Sequence, residues 1–319
     1  FICGQGAQVV RVPGTSKGLA VTCEVNSLYC SLDPWQGAAH AVAEAARNLV
    51  ACGAVPLGIT DCLNFGNPLN PEVMWQFKKT VEGMSAACRA FHIPVTGGNV
   101  SSDTESEGVS IHAPPAVGMV GLVEDLGNIV TPGFKQEGDL ICVLGHTKPE
   151  IGASEYLAQV HGLEGGPVPR IDLKAEEALL DLVKLLISKQ LLSSSRGISQ
   201  GGIAQGLAEA CVLGDIGAEV ALCGMRLDHY LFSESGARML VSFDPSKLAE
   251  VKAMAGKANV PLSVIGKVSG SSLIVRREQQ PPMACCREQA GYWENAIEIP
   301  VSDIARIYQE ASSWIEELS

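Results

Sequence analysis

Two stretches of this 319-residue chain carry residue types that could hold a ligand. The first centres on Asp61, which follows the apolar run V-P-L-G-I-T and opens a segment dense in Asn, Gly and Pro, C-L-N-F-G-N-P-L-N-P. A carboxylate just past a strand can hold Mg2+ or a nucleotide hydroxyl. It can equally cap a turn, and pattern alone favours the turn. The second stretch is P-V-T-G-G-N-V-S at residues 94–101. Gly97 and Gly98 remove the Cβ atoms that would keep a ligand off the backbone. Asn99 adds a carboxamide and Ser101 a hydroxyl, a set that suits a polyphosphate with its Mg2+. A glycine bulge or turn explains the same pair, so both readings stay open.

Weaker candidates lie elsewhere. Asn64, Asn67 and Asn70 read as a polar wall beside Asp61 or as plain turn chemistry. Ser199-Gln200-Gly201-Gly202 precedes a helical stretch; its free N–H groups can bind an anion, or it is an ordinary helix start. Arg196 reads as a solvated surface charge ahead of a phosphate partner. His40, in an Ala-rich helix, reads as a packed or capping histidine rather than a base.

The elements that must position these residues follow from periodicity. Strands are expected at 7–12, 19–25, 55–60, 93–96 and 117–123, and helices at 37–52 and 72–91. The segment 131–138, T-P-G-F-K-Q-E-G, reads as a linker. Beyond it, strands are expected at 139–144, 218–222, 238–243, 262–265 and 272–275. Helices are expected at 175–190, 202–213, 228–233, 245–255 and 304–318, with a Ser/Gly loop at 193–202. Hairpins mixed with crossovers give an α+β fold. The domains are read as 1–130, 137–280 and a tail at 281–319.

Composition narrows the function classes. A formal net charge of −12 argues against a grip on nucleic acid. No apolar run is long enough to span a membrane, and no signal peptide is visible, so the chain reads as soluble and cytoplasmic. Its 11 cysteines are scattered, with Cys285-Cys286 the only tight pair, which suggests reduced thiols. The start, Phe1-Ile2-Cys3-Gly4, reads as cut from a longer polypeptide.

The run V-A-E-A-A-R-N-L-V-A-C-G-A-V-P-L-G-I-T-D-C-L-N-F-G-N-P from Val42 is far more specific than any glycine pair. With it stand P-E-V-M-W-Q-F-K-K-T-V-E-G-M-S-A-A-C-R-A from Pro71, P-V-T-G-G-N-V-S and V-G-M-V-G-L-V-E-D. Together they resemble the second half of phosphoribosylformylglycinamidine synthase of the small multisubunit type, within the PurM-like superfamily. The likeness runs from about residue 7 to residue 295. It implies a ferredoxin-like PurM N-terminal-type domain followed by a PurM C-terminal-type α/β domain. It also implies ATP-dependent conversion of formylglycinamide ribonucleotide and ammonia to the amidine, through phosphorylation of the amide oxygen. Carried over by position, Asp61 and Gly98 match ATP contacts, Asn99 a Mg2+ ligand and Ser101 a contact to the phosphoribosyl substrate. The implied partners are the first half of the synthetase, a glutaminase subunit and a small bridging subunit. A homodimer through the first domain is expected when that half is missing.

The chain departs from the family pattern at named positions. It has no H-N-H-P, the motif that carries the catalytic histidine in the first half, so the isolated chain is expected to be inactive. Leu28 stands where N-S-R-Y has Arg, removing a bidentate phosphate partner. Arg196-Gly197-Ile198-Ser199-Gln200-Gly201-Gly202 replaces H-D-x-S-D/E-G-G, so its imidazole and carboxylates are gone. These departures motivate a second reading, a degenerate half kept for nucleotide binding or assembly. The specific F-G-N-P and G-N-V-S runs argue against a change of substrate to that of aminoimidazole ribonucleotide synthetase or selenophosphate synthetase.

Overall fold

The computed structural model describes residues 2–3, 6–102, 105–106, 109–110, 115–278 and 293–317. The chain opens with β1 (Ile2–Cys3), β2 (Gln8–Arg11), β3 (Gly18–Glu24), α1 (Ser27–Leu32), α2 (Pro34–Ala51), β4 (Val55–Asn64), α3 (Pro71–Ala90) and β5 (Val95–Ser101). The short pair β6 (Glu105–Ser106) and β7 (Val109–Ser110) leads to β8 (Pro115–Val123). These strands form a sheet in the order β1-β2-β3-β8-β4-β5, with β6 and β7 apart. Only the β4–β5 pair is parallel within that sheet.

Helices α2 and α3 cover one face. The Asp33 side chain accepts the Gln36 N–H, and Pro34 takes the first helical position, where its missing donor costs nothing. Asn70 and Pro71 start α3 in the same way. The buried alanines of α2, among them Ala38, Ala39, Ala45 and Ala46, let it lie close to the sheet. Contact between the helices is closer still. A Cβ on Gly83 of α3 would sit 2.2 Å from the Trp35 carbonyl oxygen. Gly83→Ala gains about 1 kcal/mol of helix propensity but must push the backbones apart, which costs about 1–3 kcal/mol. A net loss of stability is therefore expected in urea unfolding; a stabilised variant would contradict this packing.

The second part contains β9 (Leu140–Leu144), α4 (Glu155–His161), α5 (Leu173–Ser188), β10 (Ser194–Gly197), α6 (Gly202–Gly214), β11 (Ala218–Leu222), α7 (Leu227–Phe232) and β12 (Met239–Phe243). It continues with α8 (Leu248–Lys257), β13 (Leu262–Val268), β14 (Ser272–Glu278), β15 (Trp293–Pro300) and α9 (Val301–Glu317). Its sheet order is β10-β12-β9-β13-β11-β14-β15, antiparallel except for β11 with β14. The fold is α+β, as expected. One apolar core runs from α2 (Val42, Ala46, Leu49) into α5 (Leu179, Val183, Leu186), so the two sheets share packed helices.

Several local expectations change. Strand β4 runs on through Asp61 to Asn64, and Gly97 to Ser101 lie within β5 instead of turning after it. Parallel pairing with β4 supplies the hydrogen bonds that hold two glycines extended. The Ser/Gly loop contains β10, which pairs with β12. The segment read as a linker is packed down: Phe134 is 1% exposed, and Thr131 bridges to Ser194. The short helices α1 and α4 and the strand β15 had no counterpart in the periodicity. Cys285 and Cys286 lie outside the described residues. The described cysteines are free, and burial pushes the thiols of Cys30, Cys142 and Cys211 up to about 12. Among the described residues, no helix is long and apolar enough to cross a membrane.

Candidate functional site

Strand β5 is the edge of the first sheet, and its register on β4 fixes where each candidate side chain lies. Asp61 pairs with Gly98, Cys62 with Asn99, Leu63 with Val100 and Asn64 with Ser101. Residues paired across a ladder share a face, and successive residues alternate. Asp61 is also the register partner of buried Val117, so it lies on the helix-covered side, where its charge is felt by Cys88 of α3. Partial burial raises its carboxyl pKa.

Gly98 is bare for a specific reason. A Cβ there would meet the Asp61 carboxylate at 2.5 Å. The glycine makes room for an intramolecular carboxylate, whereas a Cβ on Gly97 would have nothing within 4 Å. Asn99 and Ser101 occupy the opposite, open face, where Asn99 Nδ2 donates to Ser101 Oγ at 3.1 Å. The four candidates are thus brought together as two pairs on opposite sides of an edge strand. A ligand lying along that edge reaches both pairs.

The three asparagines separate. Asn67 accepts the Leu69 N–H at 2.8 Å and Asn70 the Glu72 N–H at 2.9 Å, so these two are turn and cap residues. Asn64 is the last residue of β4, on the face of Ser101. Phe65 follows, buried, stacked edge-on against Phe77, with its N–H donating to the Ser101 carbonyl at 2.9 Å.

A second cleft, of about 720 Å3, opens where β3 and α2 meet β10 and α6. Glu24, Glu44, Glu155, Arg196, Gln200 and Glu209 are among its lining residues. Arg196 is a correction to the sequence reading: it is largely buried and pairs with Glu209 of α6 instead of standing in solvent. Its partner lies on the next helix, and only the packing of β10 against α6 makes the pair. At the glycine-rich start of α6 the Gly201 and Gly202 N–H groups are already taken. Glu234 Oε1 accepts the Gly201 N–H at 2.9 Å and the Glu155 N–H at 2.9 Å, and Oε2 accepts the Tyr29 hydroxyl at 2.6 Å. An internal carboxylate takes the place that a bound anion would fill. Burial raises the pKa of Glu234. No local pattern in the sequence marks Glu234, because its partners come from three distant segments.

Leu28 packs against the small apolar group of Tyr29, Ala153 and Val168. His40 is buried, and its Nε2 sits 2.7 Å from the Pro169 carbonyl oxygen, a packed histidine as expected.

The AIR synthase related protein N-terminal domain matches residues 4–123, and the C-terminal domain of the same family matches residues 136–277. The chain belongs to the AIR synthase related family. Within it, the chain is similar to the phosphoribosylformylglycinamidine synthase subunit PurL of Moorella thermoacetica, 48% identical over 298 residues, covering 93% of this chain and 41% of that one. The PurL subunit of Caldanaerobacter subterraneus is 46% identical over 273 residues, covering 85% and 37%. The chain therefore spans about two fifths of the length of these curated relatives. Among solved structures, Thermotoga maritima PurL complexed with FGAR superposes with a TM-score of 0.76 at 22% identity, over 94% of this chain and 48% of that one. Aquifex aeolicus thiamine monophosphate kinase gives 0.59 at 19% identity, over 85% and 91%. At such identities the likeness is one of fold.

Proposed function

We propose that this chain is one half of an ATP-dependent ligase of purine biosynthesis that makes formylglycinamidine ribonucleotide from formylglycinamide ribonucleotide and ammonia. The observation that carries the reading is the β4–β5 edge, where the Asp61–Gly98 and Asn99–Ser101 pairs meet along one exposed strand. Asp61 and the backbone at Gly98 contact ATP. Asn99 holds Mg2+, and Ser101 touches the phosphoribosyl substrate. Asn99 fits that role: its Nδ2 is spent on Ser101, which leaves its carbonyl oxygen, a hard donor, on the open face. Among the described residues no group of three His, Cys, Asp or Glu could hold a metal, so the remaining ligands come from phosphate oxygens, water or the other half. Bound there, Mg2+ would neutralise phosphate charge during phosphorylation of the amide oxygen, before ammonia attacks the activated carbon and that oxygen leaves as phosphate.

The partners in this reading are the first half of the synthetase, a glutaminase subunit and a small bridging subunit, in the cytoplasm. The open face of the first sheet supports a pairing role. Val10, Leu19, Val21 and Val120 are 42%, 40%, 44% and 39% exposed and neighbour one another across β2, β3 and β8. Without a first half the chain is expected to pair with itself there. Light scattering should report a dimer, and Val21→Glu a monomer; a wild-type monomer would refute the pairing.

A second reading, a non-catalytic half kept for nucleotide binding or assembly, is favoured by one observation. Two of the charged groups at the second cleft, Arg196 and Glu209, pair with each other, and Glu234 takes the Gly201 N–H beside it. Calorimetry on the complex with a first half tests the nucleotide site that both readings allow, and turnover separates them. Saturable Mg-ATP binding that is lost in Asp61→Ala and weakened in Asn99→Ala supports the nucleotide site of the ligase reading. Binding unchanged by both variants removes the β4–β5 edge from it.

A further inference from the structure

Of Asn64, Asn67 and Asn70, only Asn64 has a weak thiol as its side-chain partner among the described residues. Asn67 and Asn70 serve neighbouring backbone N–H groups, whereas the Asn64 carboxamide is shown only beside the Cys62 thiol, Nδ2 at 3.5 Å from Sγ and Sγ at 3.9 Å from Oδ1. A thiol is a weak partner, and beyond it one N–H donor and one carbonyl lone pair remain. Asparagine is depleted in strands, yet this one ends β4 in register with Ser101. Its position is rigid, because the next residue is buried and hydrogen-bonded across to the Ser101 carbonyl at 2.9 Å. The Ser101 hydroxyl accepts from Asn99 and keeps its own proton to donate outward. A pinned carboxamide with capacity to spare beside an outward hydroxyl is a preorganised hydrogen-bonding pair.

Charge narrows what it would meet. The positions sharing this face near Asn64 are Cys62, Asn99 and Ser101, then Thr60, Gly97 and Ala116 across the pleat. None of these described positions carries a charge. The Asn64 end of the face therefore suits a neutral hydroxyl or amide, while a phosphate would be drawn to the metal that the reading places at Asn99.

We propose that Asn64 is a second substrate-contacting residue, hydrogen-bonding a neutral hydroxyl or amide group of the same small molecule that touches Ser101. The inference rests on the reading that Ser101 faces substrate, and the experiment separates the two. In the synthetase assembled from this chain, a first half, the glutaminase and the bridging subunit, steady-state kinetics compare Asn64→Ala, Asn64→Ser and Ser101→Ala. Loss of a hydrogen bond to a neutral partner corresponds to about a tenfold effect. Asn64→Ala is expected to raise the KM for formylglycinamide ribonucleotide about tenfold, with the KM for ATP and the thermal midpoint unchanged. Asn64→Ser, which retains a donor and an acceptor, should recover part of that loss. If Ser101→Ala raises the substrate KM and neither Asn64 variant does, the inference fails and the reading of Ser101 stands. If none of the three moves it, the open face is not the substrate surface and both fail.

Discussion

Glu176→Ala is expected to destabilise the folded chain by about 3–5 kcal/mol, the scale for removing one partner of a buried ion pair. Glu176 on α5 is 0% exposed, and Arg47 on α2 is 2% exposed. Glu176 Oε1 accepts from Arg47 Nη1 and from the Ala237 N–H, the latter at 2.7 Å. Alanine would strand a guanidinium and a backbone donor in the core between the two sheets. Most of the loss is the cost of that stranded charge, so Arg47→Ala combined with Glu176→Ala should cost less than the sum of the two. Glu176→Gln keeps an acceptor for both donors and should lose roughly half as much. Urea unfolding of these variants beside Glu177→Ala, a half-exposed neighbour expected to cost under about 0.5 kcal/mol, checks this directly. Equal midpoints for Glu176→Ala and Glu177→Ala would show that the pair does not join the two parts. His40 gives the same region an acid sensitivity. Burial lowers its pKa below 6.5, so its stabilising contribution is present above that value and lost as pH falls through the lowered pKa.

Gly98→Ala should leave the fold stable and weaken Mg-ATP at least tenfold in the complex with a first half. Alanine is a better strand residue than glycine by up to about 1 kcal/mol, so the backbone loses little. The new methyl group would meet both oxygens and Cγ of Asp61 at 2.5–2.7 Å. Asp61 is the flexible party and must swing away, carrying off the carboxylate that the reading assigns to ATP. Gly97→Ala is the matched control, since a Cβ there has nothing within 4 Å among the described residues. Calorimetry should find a large loss for Gly98→Ala and a change under about threefold for Gly97→Ala. Equal affinities for the two would mean that the placement of Asp61 does not matter to nucleotide binding.

Period and breaker reasoning placed the long elements well. β11 at Ala218–Leu222 and α6 from Gly202 onward follow the expected pattern, because apolar spacing dominates where an element is packed on its neighbours. It misread β5, because Gly-Gly signals a turn locally and only the parallel ladder with β4 holds it extended. That misreading hid the pleat, and with it the division of Asp61 and Gly98 from Asn99 and Ser101. Arg196 and Glu234 escaped for a similar reason. A buried charge declares itself through partners that tertiary packing supplies, and those of Glu234 come from α1, the start of α4 and the start of α6. The short helices α1 and α4 hold too few residues for a period to emerge.

The most direct test of the central claim is turnover. The chain is mixed with a first half of the synthetase, the glutaminase and the bridging subunit, and formation of formylglycinamidine ribonucleotide is followed with ATP, Mg2+ and glutamine. The account predicts ATP-dependent amidine formation that needs this chain and falls at least a hundredfold in Asn99→Ala combined with Ser101→Ala, the scale for losing about 2.7 kcal/mol of transition-state binding. A complex that assembles fully yet makes no amidine would contradict it.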